Sequence, residues 1–424
     1  MTRICIHQAA DKIGGNCVEI VANDGRRLLV DAGLPLPAGL GEARRPATIP
    51  ASLDLKAQME GLILSHSHGD HCGLLGELPP EWPVICGEDT AFMLRFNQDF
   101  IKTKREVKTW ARENKPVNIT AGPFKIEAFT VDHSAFDAYA LLIEIDGRRI
   151  LYSGDFRGHG RKGAMMDRFL NNPPANIDVL VLEGTSLSGE GRPEPSPPLT
   201  EAALEARFRE VFQETPGRVF VAWSAGNIDR MVTLFRASRQ TGRTLAVDLY
   251  TALIWEEMGR VAKLPPLTQA TEIRVVATFR VNNWLMKLGF ENPARHFIKA
   301  KVAIPAKALE ENPGKWVVMV RNSLAKSGYP GKVHPTGDDA WVWSQWKGYL
   351  EDETYVGELR NFLAPCGEPI SIHSSGHAPP ELLARLARAV NPKILLPIHG
   401  EAWPQHQADF KNIRILENGQ WLDI

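Results

Sequence analysis

One short stretch, residues 61–73 with the sequence GLILSHSHGDHCG, constrains this chain more than any other. An apolar run bounded by polar residues predicts a buried strand, followed by a loop or the start of a helix. Residues two apart face the same way in an extended loop, so His66 and His68 can bind one cation together. Asp70 and His71 lie on the turn that follows and suit a second cation. Imidazoles and carboxylates are ligands of zinc, manganese and iron, so the stretch predicts a metal site.

Length and composition set the broad class of the protein. A chain of 424 residues with 44% hydrophobic and 23% charged residues predicts a globular protein of two domains. The sequence has no apolar run of about eighteen residues and no secretory signal, which predicts no membrane partner. Five scattered cysteines without paired spacing predict a reducing, cytoplasmic location. A net charge of −1 does not by itself indicate nucleic-acid binding.

Two hairpins of similar design end in carboxylates. The segments VEIVANDGRRLLVDAG and LLIEIDGRRILYSGDF each hold an Asp-Gly turn between apolar runs, which is a strong hairpin signal. The first ends at Asp31, which is either an exposed turn carboxylate or an acceptor that orients a metal-binding histidine. The second ends at Asp155.

Further buried strands end in a histidine or an acid. The strand around FKIEAFTVDH ends at His133, IDVLVLEG ends at Glu183, and KILLPIHGE ends at His399. Polar residues at single strand ends are common. His133 or Asp155 alone therefore indicates little.

A proline- and glycine-rich segment, SGEGRPEPSPPLT, divides the chain at residues 188–200. After it, helix and strand patterns alternate, which predicts a separate α/β domain with a parallel sheet. The final residues return to the strand-then-histidine style of the first part. We therefore predict one domain formed by residues 1–195 and 365–424, with residues 196–364 inserted into it.

Three other segments bear on function. Residues 89–115 predict a long helix, whose basic side is either solvated or the wall of a substrate cleft. WVWSQW at 341–346 puts indoles on one strand face, where they either pack in the core or stack on bases. The inserted domain holds 22 Lys and Arg against 18 Asp and Glu, a mild surplus of +4.

Taken together, these motifs resemble the β-CASP nucleases of the metallo-β-lactamase fold, in their ribonuclease J-like branch. The resemblance is carried over nearly the whole chain by the HxHxDH stretch, IGGN, SAGNIDR, SGHA and PIHGE. It implies an α/β protein with a four-layer αββα sandwich and an inserted α/β β-CASP domain.

The resemblance also implies a site with two divalent metal ions, zinc in the first place and manganese as the alternative. One ion would be held by His66, His68 and His133. The other would be held by Asp70, His71 and His399, with Asp155 bridging the two. Glu183, His377 and His399 match the three β-CASP motifs, and Asp31, Asp70, Glu183 and His377 form the expected catalytic group.

The implied activity is hydrolysis of single-stranded RNA by hydroxide that the metals activate. His377 would protonate the leaving 3′-oxygen, and Glu183 would hold its imidazole in the required tautomer. A histidine as third motif accompanies RNA-processing members, whereas the DNA-repair branch has an apolar residue there. A DNA nuclease of the same fold, a small-molecule metallo-hydrolase and a binding protein without catalysis stay open. So do endonucleolytic against 5′-to-3′ exonucleolytic cleavage and assembly as a homodimer.

A pocket for a 5′-monophosphate is a further hypothesis. Hydroxyl, amide and cationic groups for it would come from Ser224, Asn227, Arg230, His373 and Ser375. Helix capping is the alternative role for Ser224 and Asn227, because both stand where a helix begins. The chain has no G-x-S-x-G motif and no P-loop, so serine acyl transfer and nucleotide hydrolysis have no support.

Overall fold

The computed structural model describes residues 1–36, 48–113, 115–187, 198–262 and 264–424. They form two compact units. Unit 1 includes the chain up to Pro198, apart from the undescribed residues, together with Ser375–Ile424, and unit 2 comprises Leu199–Ser374. The predicted first boundary, at residues 195 and 196, lies outside the described residues. Unit 2 extends past the predicted boundary at Ala364, because a short strand at Ile370–Ser371 joins its sheet.

The strands are numbered in chain order. They are β1 Arg3–Gln8, β2 Cys17–Val21, β3 Arg27–Val30, β4 Met59–Ile63, β5 Val84–Gly87, β6 Val107–Trp110, β7 Val117–Ala121, β8 Phe124–Thr130, β9 Tyr139–Ile145, β10 Arg148–Tyr152, β11 Val179–Glu183, β12 Val219–Ala222, β13 Thr244–Asp248, β14 Ile273–Val276, β15 Ala303–Ile304, β16 Trp316–Val320, β17 Ala340–Trp343, β18 Ile370–Ser371, β19 Ile394–Ile398 and β20 Trp421–Asp423.

The helices follow the same convention. They are α1 Gly69–Cys72, α2 Glu88–Leu94, α3 Gln98–Lys102, α4 Gly163–Asn171, α5 Glu201–Glu214, α6 Ile228–Gln240, α7 Leu249–Ala262, α8 Phe279–Lys287, α9 Pro293–Lys299, α10 Asn322–Ser327, α11 Lys347–Leu350, α12 Glu353–Leu363 and α13 Pro380–Val390. Short 3₁₀ helices span Ala306–Glu310, Pro313–Lys315, Ala364–Cys366 and Trp403–Asp409. Within the described ranges, none of the helices is long and apolar enough to cross a membrane.

Unit 1 contains two sheets that share one core. Sheet 1 has the order β20-β1-β2-β3-β4-β5-β6, and sheet 2 has the order β19-β11-β10-β9-β8-β7. Buried side chains of both sheets, such as Ile6 and Val30 of sheet 1 and Leu141 and Val181 of sheet 2, belong to the same hydrophobic cluster. Burial of these inward-facing apolar side chains is the main force that holds the two sheets together.

Helices cover the outer face of each sheet. Leu29 and Leu62 of sheet 1 pack in a cluster with Leu94 of α2 and Phe100 of α3. On the other side, outward-facing residues of sheet 2 pack in a cluster with α4 and α13. The order helix, sheet, sheet, helix confirms the predicted αββα sandwich.

Both predicted hairpins are present. β2 pairs antiparallel with β3, and β9 pairs antiparallel with β10. At the second turn Asp146 and Gly147 both have positive φ angles, of 51° and 74°. Aspartate and glycine tolerate this left-handed backbone, which matches the right-handed twist of the flanking strands.

The predicted helix over residues 89–115 is wrong. The segment forms two short helices, α2 and α3, and then the edge strand β6, which pairs parallel with β5. Asn97 separates the two helices, because its side chain accepts hydrogen bonds from the backbone N–H groups of Asp99 and Phe100 and so caps α3. Lys104 then takes a positive φ of 51°, which a continuous helix excludes.

Unit 2 is the predicted α/β domain. Its sheet 3 has the order β15-β14-β13-β16-β12-β17-β18, and every neighbouring pair of strands is parallel. Trp341 and Trp343 of β17 are buried in this unit, so they pack in its core and do not offer the base-stacking surface that was the alternative interpretation.

Candidate metal centre

The ends of four strands of sheet 2 bring polar side chains to one edge. β8, β10, β11 and β19 run in the same direction, because β9 is antiparallel to β8 and β10 while β10, β11 and β19 are mutually parallel. Their carboxyl ends therefore lie at the same edge of the sheet. His133 follows β8, Asp155 follows β10, Glu183 ends β11 and His399 follows β19.

Sheet 1 supplies the remaining donors. β4 is followed by a loop with His66 and His68, and α1 begins directly afterwards with Asp70 and His71 on its single turn. This is the strand, loop and helix start that the sequence predicts. Asp31 follows β3 and is fully buried, which excludes an exposed turn carboxylate.

His66, His68 and His133 form the first cluster. One ring nitrogen of each lies within 4.8 Å of the others, and His133 Nε2 is 3.1 Å from His68 Nδ1. Burial, together with the neighbouring imidazoles, lowers the pKa of His66 and of His133 well below the usual value for histidine. These rings are therefore neutral at physiological pH, which is the form that a metal ion requires.

Asp70, His71, Asp155 and His399 form the second cluster, again with donor atoms within 4.8 Å of one another. Asp155 Oδ2 lies 3.1 Å from His71 Nε2, 4.0 Å from His399 Nε2 and 3.8 Å from His66 Nε2. It therefore reaches both clusters. Burial raises the pKa of Asp155, but the surrounding histidines, His399 and His71 above all, outweigh burial and hold its pKa well below the usual range.

Unpaired buried atoms test whether a cation fits these clusters. His66 Nε2, Asp155 Oδ1 and His399 Nε2 are buried and have no hydrogen-bond partner among the residues that the structure describes. A buried polar atom without a partner costs about 1–3 kcal/mol, and a bound cation would satisfy all three. The donor set of imidazoles and carboxylates also suits a divalent transition metal. The fold and the clusters together indicate divalent metal binding.

Asp31 orients the second cluster from outside. Its carboxylate accepts hydrogen bonds from Ser65 N and Oγ, both at 2.7 Å, and from Tyr152 Oη at 2.8 Å, and it lies 2.7 Å from His71 Nδ1. Burial lowers the pKa of His71, but Asp155 and Asp31 on its two sides outweigh burial and raise it well above the usual value. The contact with Asp31 leaves His71 Nε2 directed at Asp155.

Asp31 and His399 share an unusual backbone conformation. Both have positive φ angles, of 58° and 55°, which non-glycine residues rarely adopt. Each follows directly on the carboxyl end of its strand, so the left-handed turn redirects the side chain at the point where the strand stops. Such strain persists where the surroundings impose it, and it is concentrated at functional sites.

Sequence reasoning assigned no role to Asn16 or Tyr152. Asn16 Oδ1 accepts a hydrogen bond of 2.6 Å from His399 Nδ1, and its Nδ2 donates to Tyr152 Oη at 3.0 Å. His133 Nδ1 similarly donates to the backbone carbonyl of Gly376, at 2.7 Å. The IGGN segment contains Asn16, but neither an amide nor a phenol carries a metal-ligand pattern in sequence, so that segment was the only signal.

His377 and Glu183 adjoin the two clusters. His377 Nδ1 is 3.2 Å from Glu183 Oε2 and 3.8 Å from Asp155 Oδ2. Glu183 is held in place by the backbone N–H groups of Phe156 and Thr185, each at 3.2 Å. Burial lowers the pKa of His377, but Glu183 and Asp155 outweigh burial and raise it to about 9. The imidazole therefore carries a proton at neutral pH.

The residues of the phosphate hypothesis are divided between the units. Ser375 belongs to unit 1, whereas Ser224, Asn227, Arg230 and His373 belong to unit 2. Asn227 caps α6 by accepting from Arg230 N, as the alternative interpretation predicts. Arg230 is fully buried, and its guanidinium donates to Glu201 and to Ser344, so it is an internal ion pair and not an exposed cation. A phosphate-binding role of the other four residues stays a prediction.

Comparisons with known proteins identify a related domain family and related sequences. Residues 26–206 match the family model of the Beta-lactamase superfamily domain. The chain is similar to ribonuclease J of Sinorhizobium meliloti, with 25% identity over 415 residues that cover 93% of this chain and 66% of the relative. Ribonuclease J of Helicobacter pylori is 23% identical over 459 residues, which cover 97% of this chain and 59% of the relative. The chain thus spans less than two thirds of either relative.

A solved structure shares the fold across the whole chain. It is a protein of unknown function from Enterococcus faecalis V583, with a TM-score of 0.73, 20% sequence identity, and coverage of 99% of both chains. At this level of identity the likeness concerns the fold alone.

Proposed function

We propose that this chain, which matches the Beta-lactamase superfamily domain over residues 26–206 and is similar to ribonuclease J, is a β-CASP metal-dependent nuclease that cleaves single-stranded RNA. One observation carries the proposal: residues from four separate parts of the chain converge on two adjoining clusters of metal donors, and Asp155 contacts both clusters. The histidine at position 399, which matches the third motif of RNA-processing relatives, favours RNA over DNA.

In this proposal, His66, His68 and His133 hold one cation, and Asp70, His71 and His399 hold the other, with Asp155 shared. When bound, divalent cations supply Lewis-acid catalysis, which makes water nucleophilic at neutral pH and neutralises charge on the phosphodiester. The excess of imidazole over carboxylate donors favours zinc, and manganese is the alternative. Metal analysis of the purified protein decides between them.

The chain's own residues position the reacting groups. Asp31, Asn16 and the Gly376 carbonyl fix the rings of His71, His399 and His133 through Nδ1, so that each directs Nε2 into the site. Glu183 accepts from His377 Nδ1, which leaves the proton on Nε2 for transfer to the leaving 3′-oxygen. His377 is accordingly the proposed general acid, and Glu183 is its positioning residue.

A single experiment tests the activity. RNA and DNA oligonucleotides labelled at the 5′ or the 3′ end are incubated with protein whose metal content is known. We expect cleavage of RNA, with the two labels distinguishing internal cuts from stepwise degradation from the 5′ end. His68→Ala should abolish it, and the matched variant His334→Ala, at an exposed position of unit 2, should not. Intact RNA after addition of zinc or manganese would refute the proposal, and preferred cleavage of DNA would assign the DNA nuclease instead.

Three further predictions accompany the proposal. The phosphate hypothesis is tested by comparing cleavage of RNA that begins with a 5′-phosphate and of RNA that begins with a 5′-hydroxyl. Equal cleavage rates would refute it.

A cytoplasmic location is supported by the five cysteines, all in the described residues and all free thiols. Assembly as a homodimer stays a prediction that sedimentation can test.

A further inference from the structure

Helix α8 of unit 2 exposes large apolar side chains to solvent. Phe279 is 76% exposed, Met286 46% and Trp284 38%. Three such residues lie within the nine of this helix. Contiguous apolar side chains on a surface usually mark an interaction site, because exposure to water is unfavourable.

Basic residues border these side chains. Arg280, Trp284 and Lys287 are spaced i, i+4 and i+7, so they form one stripe along the helix. Phe279 and Met286 are seven residues apart and lie on a neighbouring stripe. α8 contains no acidic residue. Trp284 is therefore flanked by two cations on its own stripe.

Trp284 packs against Tyr250, which in turn contacts an ion pair. Its ring meets that of Tyr250 edge to face, with centroids 5.6 Å apart, and the Arg321 guanidinium lies 5.2 Å above the Tyr250 ring. Arg321 in turn pairs with Asp248. Tyr250 and Arg321 follow the carboxyl ends of β13 and β16, the edge at which open parallel sheets bind ligands.

A surplus of positive charge lies in the stretch of sequence that contains α8. Residues 279–301 contain five basic residues and one acidic residue, a surplus of +4. Residues 196–364 as a whole have 22 basic and 18 acidic residues, so this stretch accounts for their entire surplus. α9 is joined to α8 through Asn282, whose Oδ1 accepts from Ala294 N at 2.8 Å.

We propose that Phe279, Arg280, Trp284, Met286 and Lys287, here called the α8 platform, bind single-stranded nucleic acid. The aromatic rings stack on bases, and the two cations contact the adjoining phosphates. A second copy of the chain or a protein partner could cover the apolar groups, but neither calls for the concentrated positive charge. That the strand is RNA rests on the proposed function, which this inference deepens by naming residues that hold the substrate.

Binding measurements separate stacking from charge. The metal-loaded protein is titrated against nuclease-resistant phosphorothioate oligouridine, and against an abasic backbone of equal length. Phe279→Ala should weaken binding of oligouridine about fivefold or more and leave binding of the abasic strand unchanged. The double variant Arg280→Gln/Lys287→Gln should weaken both and reduce the slope of log affinity against log salt by about 1.4. Ile415→Ala and Lys332→Gln, at exposed positions elsewhere, are the matched controls.

Photo-cross-linking identifies the contact directly, without a variant. RNA with 5-iodouridine is irradiated with the wild-type protein, and the cross-linked peptide is sequenced by mass spectrometry. We expect attachment at Phe279 or Trp284. Trp284→Phe keeps a ring against Tyr250 and should retain binding of oligouridine.

The outcomes distinguish this inference from the proposed function. If Phe279→Ala binds oligouridine as tightly as the wild type does, and no cross-link forms in residues 279–287, the proposed role of the α8 platform is refuted. The nuclease proposal still holds in that case, provided that the wild type cleaves RNA. A wild type that neither binds nor cleaves RNA overturns both. Loss of self-association in Phe279→Ala, with RNA binding unchanged, would assign the surface to a second copy and also overturn the inference.

Discussion

Asn16 controls one metal-directed imidazole from the side facing away from the clusters. Its Oδ1 accepts the Nδ1 proton of His399 at 2.6 Å, and its Nδ2 contacts Tyr152, which itself donates to Asp31. A chain of hydrogen bonds thus joins the residues that orient His399 and His71. Partners of this kind fix both the tautomer and the ring orientation of a ligand.

We expect Asn16→Ala to weaken metal binding by about 10–100-fold, because His399 loses the acceptor that fixes its tautomer. Competition with a chelator of known affinity measures the change. Asn118→Ala, at an exposed position of the edge strand β7, should bind metal as the wild type does. Equal affinities of Asn16→Ala and the wild type would show that His399 needs no orienting group.

His377 should separate catalysis from metal binding. Because it is the proposed general acid and not a ligand, His377→Ala should lower kcat by about 10²–10⁴-fold while the metal content stays at the wild-type level. His399→Ala should lose metal as well as activity. Metal analysis beside single-turnover cleavage checks both. Metal loss in His377→Ala would instead make it a ligand, through the third cluster of donors, which it forms with His133 and Asp155.

At the scale of the elements, Asp178 joins three strands of sheet 2. Preceding β11 directly, it accepts from the backbone N–H of Arg149 in β10 at 2.9 Å and from Lys393 Nζ, next to β19, at 2.8 Å. Burial raises the pKa of Asp178, but these two hydrogen bonds outweigh burial and lower it below 3.8, the ordinary value. The folded state therefore favours the ionised carboxylate.

A carboxylate with a lowered pKa stabilises the fold above its unfolded pKa and stops doing so as pH falls through its folded pKa. We expect Asp178→Asn to lower the free energy of unfolding by about 1–2 kcal/mol at pH 7, and this difference to shrink below about pH 4. Urea unfolding from pH 7 down to pH 3 measures it. Asp167→Asn, whose carboxylate is largely exposed on α4, should change little at any pH. A penalty that does not depend on pH would contradict the assignment.

Arg230 ties together three elements of unit 2. Its guanidinium, on α6, is 3.1 Å from Glu201 at the start of α5 and donates to Ser344 directly after β17. Removing one partner of a buried ion pair leaves the other charge buried and unpaired. Arg230→Ala should therefore lower the free energy of unfolding by about 3–5 kcal/mol. Arg236→Ala removes a guanidinium that is about half exposed beside Glu205, and it should cost less than about 1 kcal/mol in the same urea titration. If both variants lose a similar amount of unfolding free energy, Arg230 is not a structural ion-pair partner and a role in phosphate binding becomes the better explanation.

Strand ends were predictable from the sequence, and long-range contacts were not. His133, Asp155 and His399 each follow an apolar run, so the pattern placed them at sheet edges, and the parallel strands then brought them together. The helix predicted over residues 89–115 failed because its apolar spacing was shared by two short helices and a strand. β6 pairs parallel with β5, and local spacing does not reveal such a tertiary contact.

Within the site, too, the sequence revealed residues at strand ends but not the partners that they contact from distant parts of the chain. Asp31 was found because it ends a strand, whereas Asn16 lies in a loop that reaches His399 across nearly the whole chain. The sequence offers Arg230 as a cationic group for a phosphate pocket, because its partners, Glu201 and Ser344, are far away in sequence. Burial of a charged side chain depends on such partners, and a single sequence does not reveal them.

For the whole molecule, metal binding should govern the stability of unit 1. Chelation leaves buried donors such as His66 Nε2, Asp155 Oδ1 and His399 Nε2 unsatisfied. At a free metal concentration of about a thousand times Kd, bound metal contributes about 4 kcal/mol to stability, so EDTA should lower the melting temperature. Calorimetry with and without EDTA, followed by readdition of zinc or manganese, measures the effect. His68→Ala should show a smaller metal-dependent change, and a melting temperature indifferent to EDTA would contradict the prediction.

The position of β19 has a consequence for the timing of synthesis. This strand lies beside β11 in sheet 2, yet in the chain all of unit 2 separates the two. A ribosome therefore completes the inserted unit before it adds His399, and until then the growing polypeptide lacks one donor of the second cluster. The proposed nuclease thus assembles its complete centre only after the ribosome has translated the whole of unit 2.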